Sequence, residues 1–200
     1  MDLDRLREWV GRTETRVDQV TAAPIAAMSA TLDREDPEPK PGTDVPPLWH
    51  WMYFMSLARQ SDIGPDGHPQ RGGFLPPVPL PRRMFAGGRL EFHRPLQVGD
   101  EITRTSRIVD INGKQGRSGT LVFVTVRHEF ANGRGVALTE EHDIVYRENP
   151  RPAAPVSKPL AAPGGELFWR EIEPDPVLLF RYSALTFNGH RIHYDLDYVR

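Results

Sequence analysis

The sequence contains no cysteine, which excludes disulfide bonds, thiol nucleophiles and zinc sites built from cysteine. It has no apolar run of membrane-spanning length, and residues 1–8 lack the apolar core of a signal peptide. The net charge is only −2, without a long run of either sign. We therefore expect no electrostatic attraction to nucleic acid or to an anionic membrane. These absences predict a cytoplasmic protein that binds neither nucleic acid nor membrane.

Two sequence motifs of common enzyme classes are also missing. There is no Gly-x-Ser-x-Gly elbow, and Ser29 and Ser183 lie inside helical patterns, which argues against a serine hydrolase. There is no glycine-rich phosphate-binding motif either. Proline, by contrast, is plentiful: the 20 prolines are roughly twice the usual share, so much of the chain is expected to be irregular connection.

Four stretches show the alternation of apolar and polar residues that is typical of β-strands. The alternation is clearest where Val122, Val124 and Val126 share one face. The Asn-Gly pairs at 112–113 and 132–133 fall between these stretches and favour tight turns. We therefore predict an antiparallel meander covered by a helix over 21–32, which makes the fold class α+β. The four predicted strands are Met84–Arg94, Glu101–Ile111, Thr120–Ala131 and Gly135–Arg147, and a further strand is predicted over Thr13–Val20.

A second helix is predicted near the end of the sequence, after a short strand over Leu167–Glu173. Asp175 is a suitable N-cap, and Pro176 suits the first helical position. We expect the helix to end at Asn188-Gly189, because both residues tolerate the left-handed backbone conformation. Its apolar face comprises Val177, Phe180, Ala184 and Phe187, spaced as on one side of a helix.

The polar cluster that follows this helix, residues 188–195, is the candidate site. Histidine titrates near neutral pH, so the imidazole of His193 can both accept and donate a proton. The amide of Asn188 can hold a water molecule without titrating. Together they can position a water and move its proton, which is the minimum for adding water to an activated double bond. The alternative is structural: His193 caps backbone carbonyls and Asn188 turns the chain.

A metal site is the second alternative for this cluster. His190, His193 and Asp195 have the composition of a two-histidine, one-carboxylate ligand set. However, Arg191 would place a positive charge beside the ion, and no further ligand is evident. We therefore predict no metal and no cofactor.

The segment Phe187–His193 resembles the hydratase signature of the MaoC-like hot-dog superfamily, which reads Gly-Asp-x-Asn-Pro-(aliphatic)-His. The aspartate of that signature falls on Asn188 and its histidine on His193. More narrowly, three segments resemble the branch that contains mesaconyl-C4-CoA (3-methylfumaryl-CoA) hydratases and 3-hydroxyacyl-thioester dehydratases. These segments are Pro47–Trp51, Met84–Asp100 and Arg181–Asp195.

The resemblance implies a double hot-dog, in which each unit is an antiparallel sheet around a helix. It also implies reversible addition of water to a 2-enoyl-CoA thioester. In that reaction His193 would move the proton and Asn188 would hold the water, because an amide cannot act as a base. The alternatives are a dehydratase of the fatty-acid type and a non-catalytic subunit that binds acyl thioesters.

Under this resemblance the chain divides into unequal parts. Residues 1–148 form a complete, non-catalytic hot-dog unit, 149–165 a linker, and 166–200 the start of a catalytic unit. A lone strand and helix cannot bury an adequate core. We therefore expect a longer chain, a homodimer or a second chain to complete the catalytic unit, and the 200 residues alone to be poorly active or inactive.

Further residues are candidates for contacts with the substrate. Trp49 and Trp51 lie in an aromatic stretch that can line an acyl pocket or simply fill the core. Arginines 82, 83 and 89 can meet a carboxylate or a phosphate, or remain solvated charges at a strand edge. The predicted substrate-binding set is Arg191, His190, Tyr182, Trp49 and Trp51.

Overall fold

A computed structural model of the protein describes residues 2–70, 73–116, 119–149 and 159–199. Its centre is a five-stranded sheet in which every described pairing is antiparallel. The order of the strands across the sheet is β1-β3-β4-β5-β2. The strands are β1 (Thr13–Gln19), β2 (Arg82–Phe92), β3 (Glu101–Gly116), β4 (Gly119–Asn132) and β5 (Gly135–Arg147).

The five strands predicted between residues 13 and 147 are confirmed, but the predicted meander is only partly correct. Strands β3, β4 and β5 follow one another across the sheet, whereas β2 lies at the far edge beside β5. The reason is that β1 occupies the other side of β3, pairing Thr13–Gln19 with residues 101–107. A chain leaving β2 must therefore cross the sheet before it enters β3, which local sequence patterns do not reveal.

The Asn-Gly turn predicted at 112–113 is wrong. Asn112 pairs with Phe123 and Gly113 with Val122, so β3 runs on to Gly116. Gly113 is useful within the strand for another reason: a Cβ there would lie 3.1 Å from the Leu3 side chain. The missing side chain lets the short helix α1 (Leu3–Arg7) pack closely against the sheet.

The core consists of two apolar clusters. One joins the helix α2 (Ala22–Thr31) to the sheet, with Ile25 and Met28 packed among residues of three strands. The other contains Val122, Val124 and Val126, all nearly inaccessible, as the alternation in β4 predicts. Each fully buried side chain of this size contributes about 1.5–3 kcal/mol. The result is an antiparallel sheet with a helix on it, which confirms the α+β class.

The C-terminal helix α3 (Pro176–Leu185) begins as predicted. The Asp175 carboxylate accepts a hydrogen bond from the Leu178 backbone N–H (2.7 Å), and Pro176 occupies the first turn. The predicted end is corrected, because Phe187 takes the left-handed conformation, with φ of 49°. The backbone N–H groups of Phe187 and Asn188 donate to the carbonyls of Ala184 and Ser183, a Schellman closure.

Segment 159–175 has no regular structure, so the strand predicted over Leu167–Glu173 is wrong. Its side chains remain in solvent, with Leu167 fully exposed and Phe168 86% exposed. A short helix α4 (Leu196–Val199) follows α3 after a 3₁₀ turn over Arg191–His193. Among the described residues, no helix is long and apolar enough to cross a membrane.

Candidate active site

The predicted polar cluster lies against a loop from a distant part of the sequence, residues 62–70. The backbone N–H of Arg191 donates to the carbonyl of Asp66 at 2.9 Å. The Arg191 guanidinium donates to the carbonyl of Pro65 at 3.2 Å, across 126 residues of sequence. These two bonds hold the segment that follows α3 onto the N-terminal part of the protein.

The approach of the two backbones is closest at Gly67. Its φ of +88° is in the left-handed region, and a Cβ at this position would lie 1.8 Å from the carbonyl oxygen of Gly189. Nothing larger than glycine fits there without moving one of the two backbones. The contact therefore fixes the distance between the loop and the motif.

Three histidines meet at this junction. The ring centroids of His68 and His190 are 3.9 Å apart, and those of His190 and His193 are 5.4 Å apart in an edge-to-face arrangement. His190 is buried, whereas His193 is exposed. Asp66 completes the group, with one carboxylate oxygen 3.1 Å from Nδ1 of His68. We call these four residues the histidine cluster.

The environment keeps two of these imidazoles neutral at physiological pH. Burial, followed by the neighbouring His68 and His193, lowers the pKa of His190 to about 4. Burial, followed by the charge of Arg83, lowers the pKa of His68. Burial raises the pKa of Asp66, but hydrogen bonds from His68 outweigh this effect, so that the net pKa is lowered. The cluster thus presents a carboxylate beside uncharged rings that can exchange protons.

Asn188 lies at the start of this turn, and its side-chain oxygen accepts a hydrogen bond from the backbone N–H of His190 (3.1 Å). The backbone N–H of His193 donates to the carbonyl of His190 (3.1 Å). The structure therefore brings His190, His193 and Asn188 into a single turn. Asn188 also shapes that turn, as the structural alternative expects.

The residues of the metal site considered as an alternative, His190, His193 and Asp195, are not all available. Nε of Arg191 donates a hydrogen bond to the Asp195 carboxylate (2.8 Å), and a second guanidinium nitrogen lies 2.7 Å from the same oxygen. The guanidinium also lies over the Tyr198 ring at 4.4 Å. A different trio, Asp66, His68 and His190, has ligand atoms within 4.8 Å of one another and could hold an ion by spacing alone. However, imidazole lone pairs lie in the ring plane. The rings of His68 and His190 face each other at 3.9 Å between centroids, with an interplanar angle of 39°.

Residues 48–200 match the protein family of hydroxyacyl-thioester dehydratase type 2. The chain belongs to this family. Mesaconyl-C(4)-CoA hydratase of Chloroflexus aurantiacus is 49% identical over 195 residues, which are 96% of this chain and 69% of that protein. The mitochondrial hydroxyacyl-thioester dehydratase type 2 of Schizosaccharomyces pombe is 25% identical over 210 residues, covering 91% of this chain and 69% of the yeast protein.

Solved structures share the fold. The MaoC-like dehydratase from Phytophthora capsici superposes with a TM-score of 0.63 at 17% identity, covering all of this chain and 69% of that one. A chain of the ChsH1-ChsH2 complex from Mycobacterium tuberculosis gives a TM-score of 0.56 at 15% identity, covering 79% of this chain and 96% of that one. The fold of this dehydratase-family chain is thus the hot-dog fold that the sequence motif implies.

Trp49 and Trp51, the two tryptophans predicted to bind the substrate, contact residues outside the histidine cluster. The indole N–H of Trp51 lies 3.2 Å from both carboxylate oxygens of Glu140. Trp49 packs against the core, with the Arg34 guanidinium over its ring at 5.5 Å. Tyr182 lies on α3 with an exposed side chain. The core-filling interpretation therefore describes Trp49 better than a contact with the histidine cluster does.

A buried polar network in the sheet escaped the sequence interpretation. Nε2 of His50 lies 3.2 Å from Glu140, and both side chains are almost inaccessible. Burial raises the pKa of Glu140, but hydrogen bonds from His50 and Trp51 outweigh it and leave the pKa lowered. His50 lines a cavity of about 490 Å³ between residues 44–50 and 92–96. The available signal was a charged residue at an inward-facing position of β5.

Asp66 and His68 of the histidine cluster were not among the residues predicted from the sequence. Both lie in the Gly- and Pro-rich stretch Ser61–Pro81, whose composition predicts an ordered surface loop and no site. The pair Asp-x-His was the available signal, since a carboxylate two residues from a histidine commonly orients its ring. Its proximity to residues 188–195 depends on long-range docking, which no local pattern encodes.

Proposed function

We propose that this chain belongs to a hydro-lyase that adds water to the conjugated double bond of an enoyl-CoA thioester, with mesaconyl-C4-CoA as the substrate. The observation that carries the proposal is the 49% identity, over nearly the whole chain, to a mesaconyl-C(4)-CoA hydratase. The histidine cluster supports it, because it supplies ionisable and polar groups in a turn open to solvent.

In the proposed reaction His193 takes a proton from water as the water oxygen bonds to the β-carbon of the acyl group. The α-carbon then receives the proton, so that the double bond is consumed and no other reagent is needed. The amide of Asn188 holds the water, while Asp66 orients His68 beside the substrate. Such general acid–base catalysis typically contributes about 10²–10⁴-fold to the rate.

We further propose that the catalytic unit is completed by a second copy of the chain or by additional residues, forming a double hot-dog. The large exposed apolar side chains of residues 160–199 support this proposal, because surfaces of this kind are usually covered in a working protein. The division into a unit over 1–148, a linker over 149–165 and a second unit from 166 belongs to the same proposal.

The test is hydration of mesaconyl-C4-CoA, followed as loss of absorbance of the conjugated thioester. We expect turnover by the protein with its catalytic unit completed and a loss of about 10²-fold or more in His193→Ala. His93→Gln, which changes an exposed histidine elsewhere, should leave the activity unchanged. Activity on crotonyl-CoA but none on mesaconyl-C4-CoA would favour the dehydratase alternative. Tight binding of CoA esters without turnover, unaffected by His193→Ala, would favour the non-catalytic subunit.

A further inference from the structure

His190 contacts both of the other rings in the histidine cluster and is the most deeply buried of the three. It is 8% exposed, whereas His68 is half-buried and His193 is exposed. Its ring centroid lies 3.9 Å from that of His68 and 5.4 Å from that of His193, with the planes of the second pair at 82°. Such edge-to-face contacts between rings are favourable in one relative orientation. The ring of His190 therefore restrains the ring of the proposed base, His193.

The imidazole of His190 is held by packing rather than by hydrogen bonds. Its backbone is fixed: the N–H donates to the side-chain oxygen of Asn188 (3.1 Å), and the carbonyl accepts from the N–H of His193 (3.1 Å). Within the part of the chain that the structure describes, neither ring nitrogen of His190 has a hydrogen-bond partner. Its neighbours thus use the shape of this ring and not its nitrogen atoms.

The ring of His190 is also uncharged at physiological pH. Burial, followed by the neighbouring His68 and His193, lowers its pKa to about 4. A positive ring in this place would oppose the charge that His193 acquires when it takes a proton from water, because like charges repel. A neutral ring avoids this effect. His190 can therefore restrain His193 without competing for the proton.

His190 also connects His193 to the docked loop 62–70. The loop fixes the other ring of the stack, because the Asp66 carboxylate accepts the backbone N–H of His68 (3.1 Å) and lies 3.1 Å from its Nδ1. The exposed ring of His193, by contrast, forms no hydrogen bond with any described residue. The orientation of the His193 ring therefore depends on its contact with His190.

We propose that His190 is a positioning residue, whose ring holds the imidazole of His193 in the orientation that takes a proton from water and couples this base to the loop 62–70. The inference rests on the proposed hydro-lyase function, in which His193 is the base. It gives His190 a role different from the substrate contact predicted from the sequence. The role is important for the rate, since a misplacement of about 1 Å at a reacting group can cost about 10²-fold.

The kinetic test compares His190→Ala with His190→Phe in the hydration of mesaconyl-C4-CoA, in the protein with its catalytic unit completed. The phenylalanine variant keeps an aromatic face and edge but has no ring nitrogen. We expect His190→Ala to lower kcat about 10- to 100-fold while KM changes less than about threefold. His190→Phe should lose less than about fivefold in kcat. His93→Ala, which removes an exposed imidazole elsewhere, should change neither constant.

Three kinetic results would overturn the proposal. Equal losses of kcat in the two variants would show that a nitrogen atom of His190 handles a proton. A raised KM in both variants, with kcat retained, would show that His190 binds the substrate. Wild-type kinetics in His190→Ala would show that the ring is irrelevant to the reaction.

A double variant tests the connection to the loop. If the loop acts on His193 through His190, the kcat losses of His68→Ala and His190→Ala should not add when the two substitutions are combined. Additive losses would overturn the coupling, because the loop would then act on the reaction by another route.

NMR spectroscopy tests the ring contact without turnover, and it decides the question even if the phenylalanine variant unfolds. The wild-type protein should show nuclear Overhauser contacts between the ring protons of His190 and His193. In His190→Ala the ring resonances of His193 should move towards the values of an unfolded chain. Absence of the contact in an active wild-type protein would refute the positioning role. Presence of the contact in a protein that does not hydrate mesaconyl-C4-CoA would keep the ring arrangement and refute the hydratase function.

Discussion

At position 188 an amide occupies the place where the hydratase signature has an aspartate. The side-chain oxygen of Asn188 accepts the backbone N–H of His190, a role that a carboxylate can also fill. The proposed division of labour follows from this difference, because an amide can hold a water but cannot take its proton. The nearest described carboxylate of the cluster comes instead from Asp66, on a different loop.

Two substitutions at position 188 should have opposite effects on hydratase activity. Asn188→Asp should retain hydratase activity within about tenfold, since both the turn and a water-binding oxygen remain. Asn188→Leu should lose about 10²-fold or more in kcat, because the water loses its partner and the backbone N–H of His190 loses its side-chain acceptor. Steady-state kinetics with mesaconyl-C4-CoA measure both. Equal activity of the two variants would remove Asn188 from the mechanism.

His128 should make the stability of the protein depend on pH. Burial, followed by the charge of Arg104, lowers the pKa of His128 to about 4, and its Nδ1 lies 2.8 Å from the buried hydroxyl of Ser106. The unfolded chain binds a proton at this residue below about pH 6.5 and the folded protein does not, so stability falls as the pH drops towards 4.

Between pH 7.5 and 5.0 this single histidine should remove about 1–2 kcal/mol from the free energy of unfolding. Urea denaturation at the two pH values measures the difference. In His128→Gln the difference should shrink by that amount, while the stability at pH 7.5 reports separately on the lost contact with Ser106. An unchanged difference would show that other groups cause the acid sensitivity.

At the scale of elements, the docking of loop 62–70 on residues 188–195 decides whether the site exists. Gly67 is the contact point, and a methyl group there would overlap the carbonyl of Gly189. We predict that Gly67→Ala separates the loop from the motif and lowers hydratase activity at least tenfold, while the sheet remains folded. Gly73→Ala, next to open space in the same loop region, is the matched control.

Circular dichroism and urea denaturation distinguish loss of the docked site from loss of the fold. If Gly67→Ala were as active as the wild-type protein, the close approach would be irrelevant to the reaction. If it unfolded the sheet, the loop would belong to the core rather than to the site.

Local sequence patterns predict individual strands and helices better than they predict how these elements are arranged. The strand β5 and the start of α3 were predicted correctly, because alternation and an Asp-Pro cap are local signals. The place of β2 beside β5 was not predicted, since it depends on β1 occupying the edge of β3. In the same way, the motif identified His193 and Asn188, but Asp66 and His68 reach them only through tertiary contacts.

At the scale of the whole molecule, exposed apolar surface is distributed unevenly. Large apolar side chains in residues 160–199 remain in solvent. Five of them are between 63% and 95% exposed, namely Leu160, Phe168, Trp169, Val177 and Phe180. Single exposed apolar residues are ordinary, but a concentration of them in one segment usually marks an interface.

We therefore predict that the protein associates with itself through this segment. Size-exclusion chromatography with light scattering should give a concentration-dependent mass above 22.7 kDa. The double variant Phe168→Ser, Trp169→Ser should shift the protein towards the monomer, because burial of large aromatic side chains dominates the energy of such interfaces. Leu57→Ser removes an equally exposed apolar side chain outside the segment and should leave the mass unchanged. A wild-type protein that stays monomeric at every concentration, or a double variant that associates as strongly as the wild type, would assign this surface to something other than a second copy of the chain.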